Sequence, residues 1–396
     1  MTWLSDSGYQ VFNPRRFQFP SSRIPILPTR FSLAASSGQS NEYRSLTEGN
    51  SYRFFNWGRY ALLEAFRLSG VGPAGNVLIP AYHCRTMLDP ALSLGSKIGL
   101  YAVDAALKPD MESIEKLIAE SSVPVRALVA THYFGFPQSF EPLRGLCDRN
   151  GITLIEDCSH AFIRSLQDYR TGTQGHFVVG SPYKFCPTMD GGVLLANGHA
   201  LPRTLRGRGL LDELSSAVHC LQRAKAVPQK ITLTAQEHST VAEQEGDHSW
   251  EEGGRISSAF DSASALQQGF RLSHWIVRHS NTDHIAHRRR ANYLAWLDGV
   301  ANMSHCKALY PVLPDDAIPY MFPLYLENPF PDFYALKQAG FPIWRWGSMG
   351  ISDCAIAMDY RLRLIHMPCH QDIGKPEMAW MLKTLKQAVN GKRGAK

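Results

Sequence analysis

The stretch Ser181-Pro182-Tyr183-Lys184-Phe185-Cys186-Pro187-Thr188-Met189-Asp190-Gly191-Gly192 runs into the apolar segment Val193-Leu194-Leu195. A lysine therefore opens a loop that closes in Asp-Gly-Gly and enters a strand. Upstream, the apolar segment Ile152-Thr153-Leu154-Ile155 leads into Glu156-Asp157-Cys158-Ser159-His160-Ala161, which puts a carboxylate at another strand end. A buried amine beside a carboxylate at strand ends is the pair that a pyridoxal phosphate enzyme requires. The amine condenses with the aldehyde, and the carboxylate keeps the pyridine nitrogen protonated so that the ring withdraws electrons.

Outward from this pair, the pattern between residues 60 and 200 alternates helix and short apolar strand. Helices are expected over 60–69, 86–94, 111–120 and 140–150, with Asp110 as the N-cap of the third. Strands are expected over 76–80, 98–103, 127–131 and 152–155. This rhythm predicts an α/β fold, a parallel sheet covered by helices on both faces, with ligands at the carboxyl ends of its strands. Residues 1–50, rich in Pro, Ser and Arg, read as an irregular N-terminal arm. Residues 51–256 read as a large cofactor-binding domain with an insertion at 203–256. There an amphipathic stretch, 210–224, leads into the polar segment 234–254, read either as a substrate-covering lid or as a surface loop. Residues 257–396 read as long helices followed by a smaller α+β C-terminal domain.

Composition bounds the rest. The chain has 396 residues, more than one core usually serves, with 44% hydrophobic and 19% charged residues. It contains no apolar run of the roughly 20 residues that a spanning helix needs, and its first residues lack the pattern of a signal peptide. A cytoplasmic protein without membrane partners is expected. The net charge of +6 is scattered. Its densest run, Arg288-Arg289-Arg290, falls in a helical pattern and reads as a solvated face, so no nucleic-acid partner is expected. The eight cysteines form no C-x-x-C pair and are expected to be reduced. The cluster His366-Met367-Pro368-Cys369-His370 has no second cluster at ligand spacing, and no metal is expected.

Several further motifs stand in order. They are Gly58-Arg59-Tyr60-Ala61-Leu62, Gly70-Val71-Gly72-Pro73, Val77-Leu78-Ile79-Pro80-Ala81-Tyr82, His132-Tyr133-Phe134-Gly135 and Gly172-Thr173-Gln174-Gly175, and Lys184 lies seven residues before Gly191. With the Glu156-Asp157 segment, they resemble the DegT/DnrJ/EryC1/StrS family, the sugar aminotransferases of fold-type I pyridoxal phosphate enzymes. The resemblance runs from about residue 56 to 197 and faintly to the end. It departs from the family in three places. Ser181 stands only three residues before Lys184, so that loop is two residues shorter. His160 replaces a glutamine, and Arg59 replaces a threonine.

The resemblance implies a fold-type I transferase and a homodimer binding pyridoxal 5'-phosphate. Lys184 would be the Schiff-base lysine and proton carrier, and Asp157 the partner of the pyridinium. His160 would touch the ring or its O3′, or else be a packed histidine. The helix start at Gly58, Arg59 and Tyr60 offers free N–H groups to the phosphate, with Arg59 adding charge or else forming a structural ion pair. Ser181 would reach the phosphate, and one of Tyr82, His83 and Cys84 would stack on the ring. Trp344-Arg345-Trp346 would bind a substrate carboxylate or pack. The implied reaction moves an amino group from a donor, glutamate by analogy, to a keto acceptor, by analogy a nucleotide-linked keto-sugar. Two rivals stay open, a pyridoxal phosphate lyase and a catalytically silent scaffold.

Overall fold

The computed structural model describes residues 2–4, 10–14, 19–32, 42–168, 170–198, 201, 204–225, 248–252, 256–346 and 349–390. In chain order the strands are β1 (Thr2–Leu4), β2 (Gln10–Pro14), β3 (Tyr43–Ser45), β4 (Tyr52–Phe55), β5 (Asn76–Pro80), β6 (Ile98–Tyr101), β7 (Val125–Thr131), β8 (Thr153–Asp157), β9 (Ile163–Ser165), β10 (Phe177–Gly180), β11 (Gly192–Ala196), β12 (His248–Glu252), β13 (Cys306–Ala308), β14 (Met321–Leu326) and β15 (Leu364–Pro368).

Eight strands form one sheet in the order β1-β6-β5-β7-β8-β10-β11-β4. Its five central strands, β6, β5, β7, β8 and β10, run parallel, while β1, β11 and β4 pair antiparallel. The sequence explains the parallel core. All five residues of Asn76–Pro80 are buried, as in a strand covered on both faces. Asp110 caps the helix Met111–Glu120 by accepting from Ser113 N at 3.0 Å. Gly151, at a left-handed φ of 63°, ends the helix Glu141–Asn150 and turns the chain into β8. A second, three-stranded antiparallel sheet, β13-β14-β15, packs among the helices Thr282–Val300 and Ala355–Arg363. Its strands bring residues 320 and 366 over the carboxyl ends of the large sheet.

One expectation is corrected. Residues 1–50 are not wholly irregular, because Thr2–Leu4 pairs with Ile98–Tyr101 and covers the edge of the large sheet. A three-residue strand is too short to display a period. Gln10–Pro14 pairs with His248–Glu252, so the arm and the insertion meet. The remainder of the polar segment 234–254 lies outside the described residues, apart from 248–252. Among the described residues no helix is long and apolar enough to cross a membrane.

The core also encloses histidines. Burial lowers His83 and His370 to about 4 and His366 to about 3, from an ordinary 6.5. As pH falls below 6.5 the unfolded chain protonates these residues while the folded chain does not. Stability therefore falls with pH, by up to about 1.4 kcal/mol per pH unit for each histidine. Asp190, raised by burial to about 6, opposes them. The net expectation is a melting midpoint that drops between about pH 6.5 and 4; a flat profile across that window would refute it.

Candidate active site

The carboxyl ends of β5, β7, β8 and β10 and the amino end of helix α1 (Gly58–Leu68) surround a cavity of about 330 Å³. Of the residues singled out by sequence, it is lined by Gly58, Arg59, Cys84, Asp157, His160, Ser181 and Lys184. Tyr320, Trp344, Arg345 and Trp346 close it from the side of the smaller sheet.

Lys184 ends a single 3-10 turn, Pro182–Lys184, directly beyond β10. The two glycines that follow have a packing reason. Gly191 adopts a φ of 141° and donates its N–H to Asn56 O at 2.6 Å. A Cβ on Gly192 would overlap the Trp57 backbone. Only glycine lets β11 start so close to the turn into α1. Burial drives the Lys184 amine below its ordinary 10.5, and the charge of Asp157 and the Cys84 thiol oppose that shift. Its Nζ lies 5.3 Å from the centre of the Tyr320 ring.

Successive residues of a strand face opposite sides of the sheet, and the pair Glu156-Asp157 shows it. Asp157 faces the cavity, with Oδ1 accepting from Ser159 N at 2.9 Å. Glu156 faces away. Its fully buried carboxylate accepts from the N–H groups of Gly172, Gln174 and Gly175 at 2.5, 2.9 and 2.9 Å, and from His132 Nε2 at 2.8 Å. Cys158 Sγ lies 3.6 Å from Glu156 Oε1, so the donor atoms of His132, Glu156 and Cys158 gather within 4.8 Å of one another, a spacing that suits a metal ion. The amides already occupy the carboxylate, however, and His132 Nδ1 accepts from Gln138 N at 3.0 Å. The motif's acidic pair thus divides into one residue for the turn 172–175 and one for the cavity.

His160 is buried and its pKa falls well below 6.5, chiefly through burial and then through the charge of Lys184. Its Nδ1 accepts from Phe134 N at 3.3 Å, which leaves the proton on Nε2. Its ring stacks on Tyr320 at 4.4 Å. Phe134, a buried non-glycine residue at φ 56°, is held there by this bond and by Tyr320 N, which donates to Phe134 O at 2.8 Å.

The amino end of α1 has no side-chain cap and no acidic residue in its first turn. Ser181 Oγ sits against Gly58, where a Cβ would overlap it, and donates to Ser159 Oγ at 3.1 Å. The guanidinium of Arg59 lies over Trp57 at 5.1 Å, and its buried Nε has no hydrogen-bond partner. Uncapped N–H groups, two hydroxyls and an orphaned guanidinium nitrogen suit an anionic group such as a phosphate.

Three expected residues lie outside the cavity lining. Tyr60 turns into the core, where its hydroxyl accepts from Asp261 N at 3.0 Å. The Tyr82 hydroxyl lies 2.9 Å from His366 Nε2. His83 Nδ1 contacts the carbonyls of Pro80 and Ala81 at 3.0 Å, and its Nε2 accepts from Gly350 N at 3.1 Å. Their polar atoms are taken up by the fold, and Cys84 alone of its trio reaches the cavity.

Sequence reasoning missed Tyr320, whose position before β14 carries no local signal. It also misread Arg289, which is fully buried and not solvated. The helical period held the signal. Residues 285, 289, 292, 296 and 300 fall on one stripe, and Ile285, Asn292, Trp296 and Val300 are buried on it with Arg289. Three consecutive residues at 100° steps cannot all face water on a packed helix.

Residues 55–223 match the sequence profile of the DegT/DnrJ/EryC1/StrS aminotransferase family. A dTDP-3-amino-3,4,6-trideoxy-alpha-D-glucose transaminase from Streptomyces venezuelae is 28% identical over 177 residues, 43% of this chain and 45% of the relative. The match thus spans about half the length of that relative. Among solved structures, the aminotransferase TlmJ from Streptoalloteichus hindustanus superposes with a TM-score of 0.60 at 18% identity over 86% of each chain. Helicobacter pylori PseC, an aminotransferase involved in the biosynthesis of pseudoaminic acid, gives 0.61 at 15% identity, over 95% of this chain and all of that one. At such identities these two likenesses establish the fold.

Proposed function

We propose that the chain is a pyridoxal phosphate-dependent aminotransferase that moves an amino group from an amino-acid donor, glutamate, to a nucleotide-linked keto-sugar. The observation that carries this reading is the meeting of Lys184 and Asp157 in one cavity beside the uncapped start of α1. The named activity of the Streptomyces venezuelae relative supports a nucleotide-sugar acceptor. We also propose a homodimer, with residues 51–256 as the large cofactor domain and 257–396 as long helices and a smaller domain.

When bound, the cofactor supplies an aldehyde that takes up amines and a ring that withdraws electrons. The residues provide the rest. Gly58 N–H, Ser181 and Arg59 bind the phosphate. Asp157 holds the ring nitrogen protonated. His160 Nε2–H donates into the cavity, taking over the role of the replaced glutamine. Cys84 stands against one face of the cavity. Lys184 Nζ, whose pKa burial lowers, removes the α-proton of the donor and delivers a proton to the acceptor carbon that gains nitrogen.

The test is the absorption spectrum of the purified protein with pyridoxal phosphate, before and after L-glutamate. The expected result is a visible band that bleaches with glutamate. A band that glutamate leaves unchanged would favour the lyase, and no band at all the silent scaffold. Gly58→Ala is expected to fold and to weaken pyridoxal phosphate binding about tenfold, or about 1.4 kcal/mol, because its methyl displaces Ser181 Oγ from the anion cradle. Titration of cofactor fluorescence checks this, and unchanged affinity would move the phosphate elsewhere.

A further inference from the structure

We propose that Arg289 is a positioning residue of the Lys184 site, a buried fork that ties the main chain of the lysine to the Tyr320 ring beside it. The inference rests on the function proposed above.

A buried guanidinium is costly to desolvate, and an apolar residue of similar volume is often no worse for stability. The hydrogen-bond partners of Arg289 are neutral oxygens at the site itself. Nη2 donates to Lys184 O at 2.8 Å, and Nη1 donates to Pro319 O at 3.1 Å and Tyr320 O at 3.0 Å. Nε donates to Gln371 Oε1 at 3.2 Å, and Gln371 Nε2 in turn donates to Phe185 O at 2.8 Å. The guanidinium lies 4.5 Å over the Phe185 ring. One rigid plane thus holds three segments remote in sequence, 184–185, 319–320 and 371. Two of them face each other across the cavity, since the Tyr320 ring lies beneath Lys184 Nζ and stacks on His160. The fork therefore sets the spacing of lysine, tyrosine and histidine together. A lysine at 289 would keep the charge but offer a point donor, unable to span these carbonyls.

The titratable groups facing Lys184 are Asp157 at the end of β8, Cys84 after β5, His160, Tyr320, and His366 in β15. Burial keeps the amine low. A loosened loop would admit water and raise the pH at which the amine becomes reactive.

The experiment incubates purified wild type, Arg289→Lys, Arg289→Met and Gln371→Met with limiting pyridoxal phosphate at graded pH. Borohydride then traps the adduct, peptide mapping quantifies the label on Lys184, and melting midpoints are recorded beside it. Both Arg289 variants are expected to lose about tenfold in labelling at neutral pH and to shift its midpoint upward, with Gln371→Met moving the same way by less. If wild type is labelled and folded variants keep both labelling and midpoint while only the melting temperature falls, Arg289 is a staple of the fold and the inference fails. If wild type is not labelled at Lys184, the functional reading itself fails. Should Arg289→Met not fold, Arg289→Lys and Gln371→Met decide the question.

Discussion

Lys184→Ala is expected to abolish the visible band that wild type forms with pyridoxal phosphate and to lower amino transfer by at least about 10²–10⁴-fold, the range that a positioned proton carrier supplies. The loss should sit in kcat more than in KM, because in the proposed reaction the amine acts on the reacting carbon while the proposed anion cradle at Gly58, Arg59 and Ser181 is left intact. Alanine leaves the fold in place. The Lys184 main chain keeps its carbonyl on Arg289, and its N–H still donates to Ser181 O at 3.2 Å. Removing the buried amine also removes a desolvation cost. The melting midpoint of the cofactor-free protein is therefore expected to hold or rise while turnover disappears. Residual turnover within tenfold of wild type would overturn the assignment of Lys184. A large drop in the midpoint would show instead that the lysine is structural.

Glu156→Ala is expected to give the largest loss of stability, while leaving Asp157 in place one residue on. The carboxylate is fully buried and is the shared acceptor of three backbone N–H groups from the turn 172–175 and of His132 Nε2. Each buried donor left without an acceptor costs about 1–3 kcal/mol. Water entering the space will rescue some of them, so the net expectation is a loss of at least about 3 kcal/mol, a large part of the stability of a typical domain. Glu156→Gln keeps an acceptor oxygen for part of this set and should lose less. Urea unfolding of both variants provides the check. A loss under about 1 kcal/mol for the alanine variant would mean that the turn 172–175 does not depend on this carboxylate.

These two residues mark how far the sequence is legible. Asp157 announces itself because it ends an apolar run, and Lys184 because it opens a short loop that closes in Asp-Gly-Gly and enters a strand; both are local properties of a few consecutive residues. Glu156 sits in the same motif, yet its partners at 172–175 become visible only when β8 and β10 pair in parallel. The trio Tyr82-His83-Cys84 could not be resolved by reading. The choice depends on where the turn after β5 aims each side chain, and Tyr82 and His83 find partners at His366 and Gly350, more than 260 residues away.

The amino-acid sequence by itself determined the alternation that builds the parallel sheet, the strand end that carries Asp157, the loop from Lys184 to the paired glycines Gly191 and Gly192, and the family that these motifs resemble. All of these rest on spacing over a few residues or on backbone freedom, which the chain carries locally. Tertiary structure alone decided that Arg289 faces inward, that Tyr320 lies beneath the lysine, and that Cys84 rather than its neighbours reaches the cavity. The reason is physical. Arg289 reaches Lys184 across 105 residues of chain, and such a pairing is set by how two packed layers meet and not by any period along the chain.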